Sequence, residues 1–179
     1  MIKAIALKLF LACTIFISFI SCHTQYRGGD QEEVSEFSFV FLTDIHLQPE
    51  LNAPEGFSKA IQRVNELDPD FVITGGDLVM DALAVPYSRA DSLYNLYQSL
   101  AKEFNMPVYN TMGNHELFGV YEESGVSSGH VEYGEKMFEN RLGERYYSFD
   151  HKGWHFMVLD GIEHTGENGY IGMIDSLQM

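Results

Sequence analysis

Cysteine is almost missing from this 179-residue chain: only Cys13 and Cys22 occur, both near its start. The rest of the chain can form no disulfide and offers no thiolate to a metal or a substrate. Positive charge is scarce too, with 11 Lys and Arg against 26 Asp and Glu and a formal net charge of −15. Such a surface repels nucleic-acid backbones, and no basic aromatic patch offsets it, so no nucleic-acid binding is expected. No apolar run reaches the roughly 20 residues of a comfortable membrane span. There is no internal repeat, and no Gly-x-Ser-x-Gly elbow is expected, which weakens a serine-hydrolase reading. A glycine-rich phosphate loop with lysine is also lacking, which argues against a nucleotide-driven kinase or ATPase.

What is present begins with a leader. Lys3 and Lys8 precede an apolar run, Leu9 to Ile20, which ends at Ser21-Cys22. A positive start, a short apolar core and a small residue at the cut read as a signal peptide over residues 1–21. Phe19-Ile20-Ser21-Cys22 resembles a bacterial lipobox, in which cleavage leaves Cys22 as a lipidated N-terminus. That implies a lipid anchor in a bacterial cell envelope, on the periplasmic side or the cell surface. An ordinary signal peptide cut nearby, or an uncleaved anchor, is the alternative. His23 to Glu36 is polar, with Gly28-Gly29 and the acidic Asp30, Glu32, Glu33 and Glu36. Residues 22–36 are therefore expected to be a flexible tether.

Residues 37–179 have the length of one domain. Phe37 to Thr43 is aromatic and β-branched, as suits a strand buried on both faces. Phe57, Ala60, Ile61, Val64 and Leu67 recur at helical spacing until Asp68-Pro69 stops them. Phe71 to Thr74 reads as a second buried strand, Leu93 to Phe104 as a second helix and Pro107 to Asn110 as a third strand. This alternation is that of βαβ units around a parallel sheet, an α/β fold. Further on, Glu132 to Leu142 reads as a helix with a break at Gly134. Tyr146 to Asp150 and His155 to Asp160 read as a hairpin turned at Lys152-Gly153. Ile174 to Met179 has the look of the first turns of a helix.

Three short motifs each follow one of the first three strands: Asp44-Ile45-His46, Gly76-Asp77 and Gly113-Asn114-His115-Glu116. Loops at the carboxyl ends of parallel strands are where such sheets bind ligands. Asp44 and His46, two apart in extended chain, share a face and can reach one ion. Asp77 follows Gly75-Gly76, which permits a sharp turn, and a carboxylate held there can bridge two cations. Asn114 adds a neutral oxygen, and His115 beside it is expected to point elsewhere. Two metals a few ångströms apart can clamp a phosphoryl group and activate water, with an imidazole as general acid at the leaving oxygen. Singly, Asp-x-His and Gly-Asp are common; the three in series, each at a strand end, are not.

In this order the motifs resemble those of the calcineurin-like metallophosphoesterases, from about Phe37 to the end of the chain. The resemblance implies an α/β/β/α sandwich with a binuclear site along one edge. It implies Asp44 and His46 as ligands of a first metal, Asp77 as the bridging carboxylate and Asn114 as a ligand of the second. It implies His115 as the catalytic group that stabilises or protonates the leaving oxygen. The cofactors would be two divalent ions, and the substrate a phosphomonoester or phosphodiester, either a small molecule or a phosphoprotein. Met80 stands where purple acid phosphatases carry a metal-bound tyrosine, so manganese, iron, zinc or magnesium fits better than a tyrosinate–iron site.

The family's later histidines, two of them in Gly-His-x-His, have no counterpart here. His130 after Gly129 is expected to be a loop histidine, and His151 and His155 to be solvated or packed near the hairpin. His164 could approach the site, and His23 belongs to the tether. With the ligands present, the first metal lacks one protein donor and the second lacks two. The expectation is a domain whose carboxyl-terminal part is missing, with apolar edge strands left uncovered. Residues up to Met179 alone would then be poorly stable and inactive. An envelope lipoprotein that uses the same fold as a non-catalytic binding or scaffolding module is the competing reading. Substrate choice rests on loops around the site, of which Phe118 to Gly129, with Tyr121, is the sizeable one.

Overall fold

The computed structural model describes residues 36–166 and 168–179. The expected signal peptide 1–21, the lipidated Cys22 and all of the tether except Glu36 lie outside the described residues. Three strands, β1 (Phe39–Leu42), β2 (Phe71–Thr74) and β3 (Val108–Tyr109), pair in parallel in the order β1-β2-β3. Parallel neighbours need crossovers, and two helices supply them: α1 (Ala53–Leu67) and α2 (Tyr87–Ala101). Pro54 suits the first turn of α1. Asp68 ends that helix at φ 50°, returning its N–H to the Val64 carbonyl, because Pro69 bars helical geometry before it.

One face of β2 carries Val72 into a core with Phe57, Ile61 and Val64 of α1 and Leu93, Tyr94 and Tyr97 of α2. The other face carries Phe71 against an antiparallel hairpin, β4 (Tyr147–His151) and β5 (Trp154–Val158). The Phe71 ring lies 5.5 Å from Phe149 and 5.3 Å from Phe156, and Tyr109 stacks on Phe149 at 3.6 Å. The expected turn at Lys152-Gly153 is there, with φ 46° and 83°, the pair of positive angles that a two-residue hairpin turn asks for.

Some expectations need correction. Strand β1 is not buried on both faces: Phe39 is 45% and Phe41 58% exposed. It is the sheet edge among the described residues, and its apolar side is only partly covered by the hairpin. Trp154, Met157 and Leu159 are exposed as well. No helix starts at Ile174. The Asp175 carboxylate accepts the N–H groups of Leu177 (2.8 Å) and Gln178 (3.2 Å) and closes a single turn. Gln178 is then tied to the main chain of Asp160 at 2.8 and 2.9 Å. Helix α3 spans only Lys136–Leu142, following Gly134 at φ 67°. A second hairpin, β6 (Ile162–His164) with β7 (Tyr170–Gly172), was not anticipated. Gly125 to Gly129 carries the letters Gly-x-Ser-x-Gly, but it lies in a loop, where the Ser127 hydroxyl accepts the Gly129 N–H. None of the described helices is long and apolar enough to cross a membrane.

Two carboxylates join these parts. Asp70, just before β2, accepts Lys152 Nζ (2.7 Å), the Ser38 N–H (3.0 Å) and His151 Nε2 (3.1 Å), pinning the hairpin turn to the parallel sheet. These partners, Lys152 foremost, hold its carboxyl well below the usual range. A lowered folded-state value means that the stabilisation is complete above the unfolded value of about 3.9 and is lost as pH falls below it. Acid titration followed by Trp154 fluorescence should therefore show the hairpin loosening below about pH 4. In Asp70→Asn that acid dependence should flatten, and an unchanged titration would contradict the role.

Glu116 is fully buried. Its Oε1 accepts the N–H groups of Leu78 (2.7 Å) and Val79 (3.0 Å), and its Oε2 those of Gly113 (2.8 Å) and Asp77 (2.9 Å). Burial pushes its pKa up to about 7, while the Val79, Gly113 and Leu78 N–H groups pull it down and the Asp77 charge adds to the rise. Glu116→Gln would turn an NH₂ group toward two of the four donors. At 1–3 kcal/mol per unsatisfied buried donor, the expected loss is about 2–6 kcal/mol in urea denaturation. A loss under about 0.5 kcal/mol, the size of an ordinary surface change, would refute the clamp.

Candidate metal centre

The loops leaving β1 and β2 run side by side. Backbone N–H groups of Asp44 and His46 donate to the carbonyls of Gly76 (3.2 Å) and Asp77 (2.9 Å). Leu47 donates to Leu78 (2.9 Å), and Met80 returns a bond to Leu47 (3.0 Å). The loop after β3 is drawn in by the Glu116 carboxylate and by the His115 N–H, which donates to Asp77 Oδ1 at 3.2 Å. The contact is close because two glycines meet there. A Cβ on Gly113 would stand 2.3 Å from Asp77 Oδ1, and one on Gly76 2.7 Å from the Gly113 nitrogen.

His46 Nε2 lies 3.9 Å from Asp44 Oδ1 and 3.9 Å from Asp77 Oδ2. That is too long for hydrogen bonds. It matches the separation of about 3–4 Å between two donors that each sit about 2.0–2.2 Å from one cation. Among the described residues, the recorded ion pairs of Asp44 and Asp77 are with His46 alone, so two carboxylates converge without Lys or Arg. His46 Nδ1 is buried without a hydrogen-bond partner, which leaves the ring held by packing and by its main chain. The donor set fits a divalent cation. Thr43 Oγ1 donates to Asp44 Oδ2 at 2.7 Å and orients that carboxylate. Asp44, His46 and Asp77 also share a left-handed backbone, at φ 55°, 47° and 52°. Each costs about 1 kcal/mol or more, so the loops hold these side chains against local preference.

His115 does not point away from the ligand set as expected. Its ring centroid is 4.5 Å from that of His46, and the donor atoms of His46, Asp77 and His115 all lie within 4.8 Å of one another. The ring is drawn in because its Nδ1 is hydrogen-bonded to the Met80 carbonyl while its main chain is held on Asp77. Asn114 opens the short 3-10 turn Asn114–Glu116 and is half-buried beside His115.

The other histidines lie elsewhere. His164 Nδ1 pairs with Glu135 Oε1 at 2.7 Å, with Glu163 beside them, apart from Asp44 and Asp77. His130 packs on Tyr87 and Phe118, and its Nδ1 accepts the Glu132 N–H, as a loop histidine does. His151 packs between Phe37 and Phe71, and His155 pairs with the exposed Asp150. Tyr121 lines a cleft of about 300 Å³ with Gly119, Val126 and Asn168. Sequence reasoning passed over Glu116. Its signal was a carboxylate heading the apolar run Leu117-Phe118, a setting where charge survives only when fully hydrogen-bonded.

Comparison with known proteins bears on this geometry. Among solved structures, a dimetal phosphatase from Danio rerio is similar, with 12% identity and a TM-score of 0.42. The alignment takes in 64% of this chain and 40% of that one, so the chain spans less than half the length of that structure. Comparison with curated proteins gave no match. The family model of the calcineurin-like phosphoesterases matches residues 37–177, from the first strand through all three motifs. The chain belongs to the calcineurin-like phosphoesterase family.

Proposed function

We propose that this cluster serves metal-dependent hydrolysis of a phosphomonoester or phosphodiester, with Asp44 and His46 holding one divalent ion, Asp77 bridging and Asn114 holding a second. The observation that carries the reading is the convergence of His46, Asp77 and His115 on one point at the carboxyl ends of the strands. When bound, the ions would neutralise phosphate charge and make water a nucleophile at neutral pH. Manganese, iron, zinc and magnesium all suit such oxygen and imidazole donors. His115, with Nδ1 committed to the Met80 carbonyl, keeps Nε2 for the substrate. In the protonated ring that nitrogen donates its proton to the departing oxygen.

The test is hydrolysis of p-nitrophenyl phosphate and bis-p-nitrophenyl phosphate by protein isolated from its native source, stripped with EDTA and reloaded with Mn²⁺. Asp77→Asn should slow turnover by about 100-fold or more, the scale of a lost catalytic interaction. EDTA-insensitive turnover, or an unchanged variant, would sink the proposal. Tight metal binding without turnover would favour the non-catalytic binding module.

The leader motif supports a second element of the proposal: lipidation of Cys22 anchors the protein in a bacterial envelope. Cys22→Ser should move the protein from the membrane fraction to the soluble one, and intact-mass measurement should lose the acyl increment. Membrane retention without acylation would refute it.

A further inference from the structure

We propose that Asp81 is a positioning residue for His115: its carboxylate folds residues 80–84 so that the Met80 carbonyl captures the His115 Nδ1–H and leaves Nε2 free at the metal centre. The inference deepens the reading of His115 given above and rests on it for its catalytic consequence.

The Asp81 side chain makes an Asx-type turn. Its Oδ1 accepts the N–H groups of Leu83 (2.7 Å) and Ala84 (3.3 Å). The residues on either side of Asp81 then bracket His115. Ahead of it, the Met80 carbonyl meets Nδ1 of the ring; behind it, the Ala82 N–H donates to the His115 carbonyl at 2.9 Å. Both ends of the loop are pinned. The Met80 N–H is held on Leu47 (3.0 Å), while the carbonyls of Ala82 and Leu83 take the N–H groups of Gly119 (2.9 Å) and Tyr121 (3.1 Å). Ala82 and Leu83 are buried, so a Leu83 N–H deprived of the Asp81 carboxylate would have no ready replacement in water.

A carbonyl can only accept a hydrogen bond, so the nitrogen facing it must carry the proton. The partner of one ring nitrogen thereby decides the state of the other. Here the partner is a main-chain atom, and no side chain can be assigned its role. Met80 contributes its carbonyl, with its own side chain 38% exposed. What the sequence controls is the direction of that carbonyl, and the side chain that controls it is Asp81.

The test uses ¹⁵N-histidine-labelled, metal-free protein. His115 should show the neutral tautomer with Nδ1 protonated and Nε2 bare. Asp81→Ala should move both resonances toward the averaged, mixed-tautomer position. Asp81→Asn keeps the same acceptor oxygen and should restore the wild-type pattern, and Met80→Leu should leave it untouched. In hydrolysis, Asp81→Ala should lower kcat by about 10-fold or more with KM little changed, as for a displaced catalytic group. An alanine variant with a native amide spectrum and unshifted His115 resonances would overturn the proposal, as would an asparagine variant that fails to restore them. If the alanine variant loses its native spectrum, the result is taken from Asp81→Ser, whose shorter acceptor holds the turn less firmly, and an unshifted His115 there overturns the proposal. A tautomer shift without hydrolysis in any form of the protein would uphold the positioning and defeat the hydrolase reading.

Discussion

A carboxylate that water cannot reach holds the candidate site together. Glu116 takes four main-chain N–H groups, three from the segment Asp77–Val79 and one from Gly113. Loops at the end of a parallel sheet leave the ladder and lose its regular hydrogen bonds, so their N–H groups need other acceptors or solvent. Here one side chain supplies the acceptors for two loops at once, and the two loops are the ones that bear Asp77, Asn114 and His115. Burial, helped by the Asp77 charge, drives the proton onto this carboxyl, and the value of about 7 reflects that pressure against the Val79, Gly113 and Leu78 N–H groups. The buried hydroxyl of Tyr94, which donates to the Glu116 carbonyl at 2.7 Å, fixes the same residue from the α2 side.

The clamp matters because what it holds is unfavourable on its own. Asp44, His46 and Asp77 sit at positive φ, and two carboxylates face one imidazole with no Lys or Arg paired to them among the described residues. Local strain and like charge would both relax if the loops were free. Glycines at 76 and 113 let the backbones approach until only a hydrogen atom fits between them, which converts the clamp into a fixed spacing of side chains. Preorganisation of that kind is what a metal centre requires, because ligands already in place need not be ordered when the ion arrives.

Much of this was legible in the sequence where a local rule acts alone. Phe71–Thr74 was read to the residue because a β-branched run was bounded by Pro69 and Gly75. The end of α1 at Asp68 followed from Pro69, and the hairpin at Lys152-Gly153 from its turn residues. The motif residues Asp44, His46, Asp77 and His115 stand out in the sequence because polar side chains directly follow apolar strands. What escaped depends on partners distant in sequence. The exposure of Phe39 and Phe41 depends on β1 being an edge, which composition cannot reveal. The β6–β7 hairpin is only three residues on each side and has little periodicity to read. The place of His115 depends on the Met80 carbonyl, and a main-chain acceptor has no letter in the sequence.

The edge position of β1 also explains the unequal exposure of the two carboxylates. The Asp77 side chain, on the central strand's loop, is 19% exposed, whereas that of Asp44, on the edge strand's loop, is 65% exposed. The same uncovered side carries Phe41 at 58% exposure, one strand residue before the loop begins. A parallel edge with aromatic side chains in water is unstable against anything able to pair with it or cover it. Because Asp44 lies at the end of that edge, any backbone that added to β1 would arrive within reach of the carboxylate.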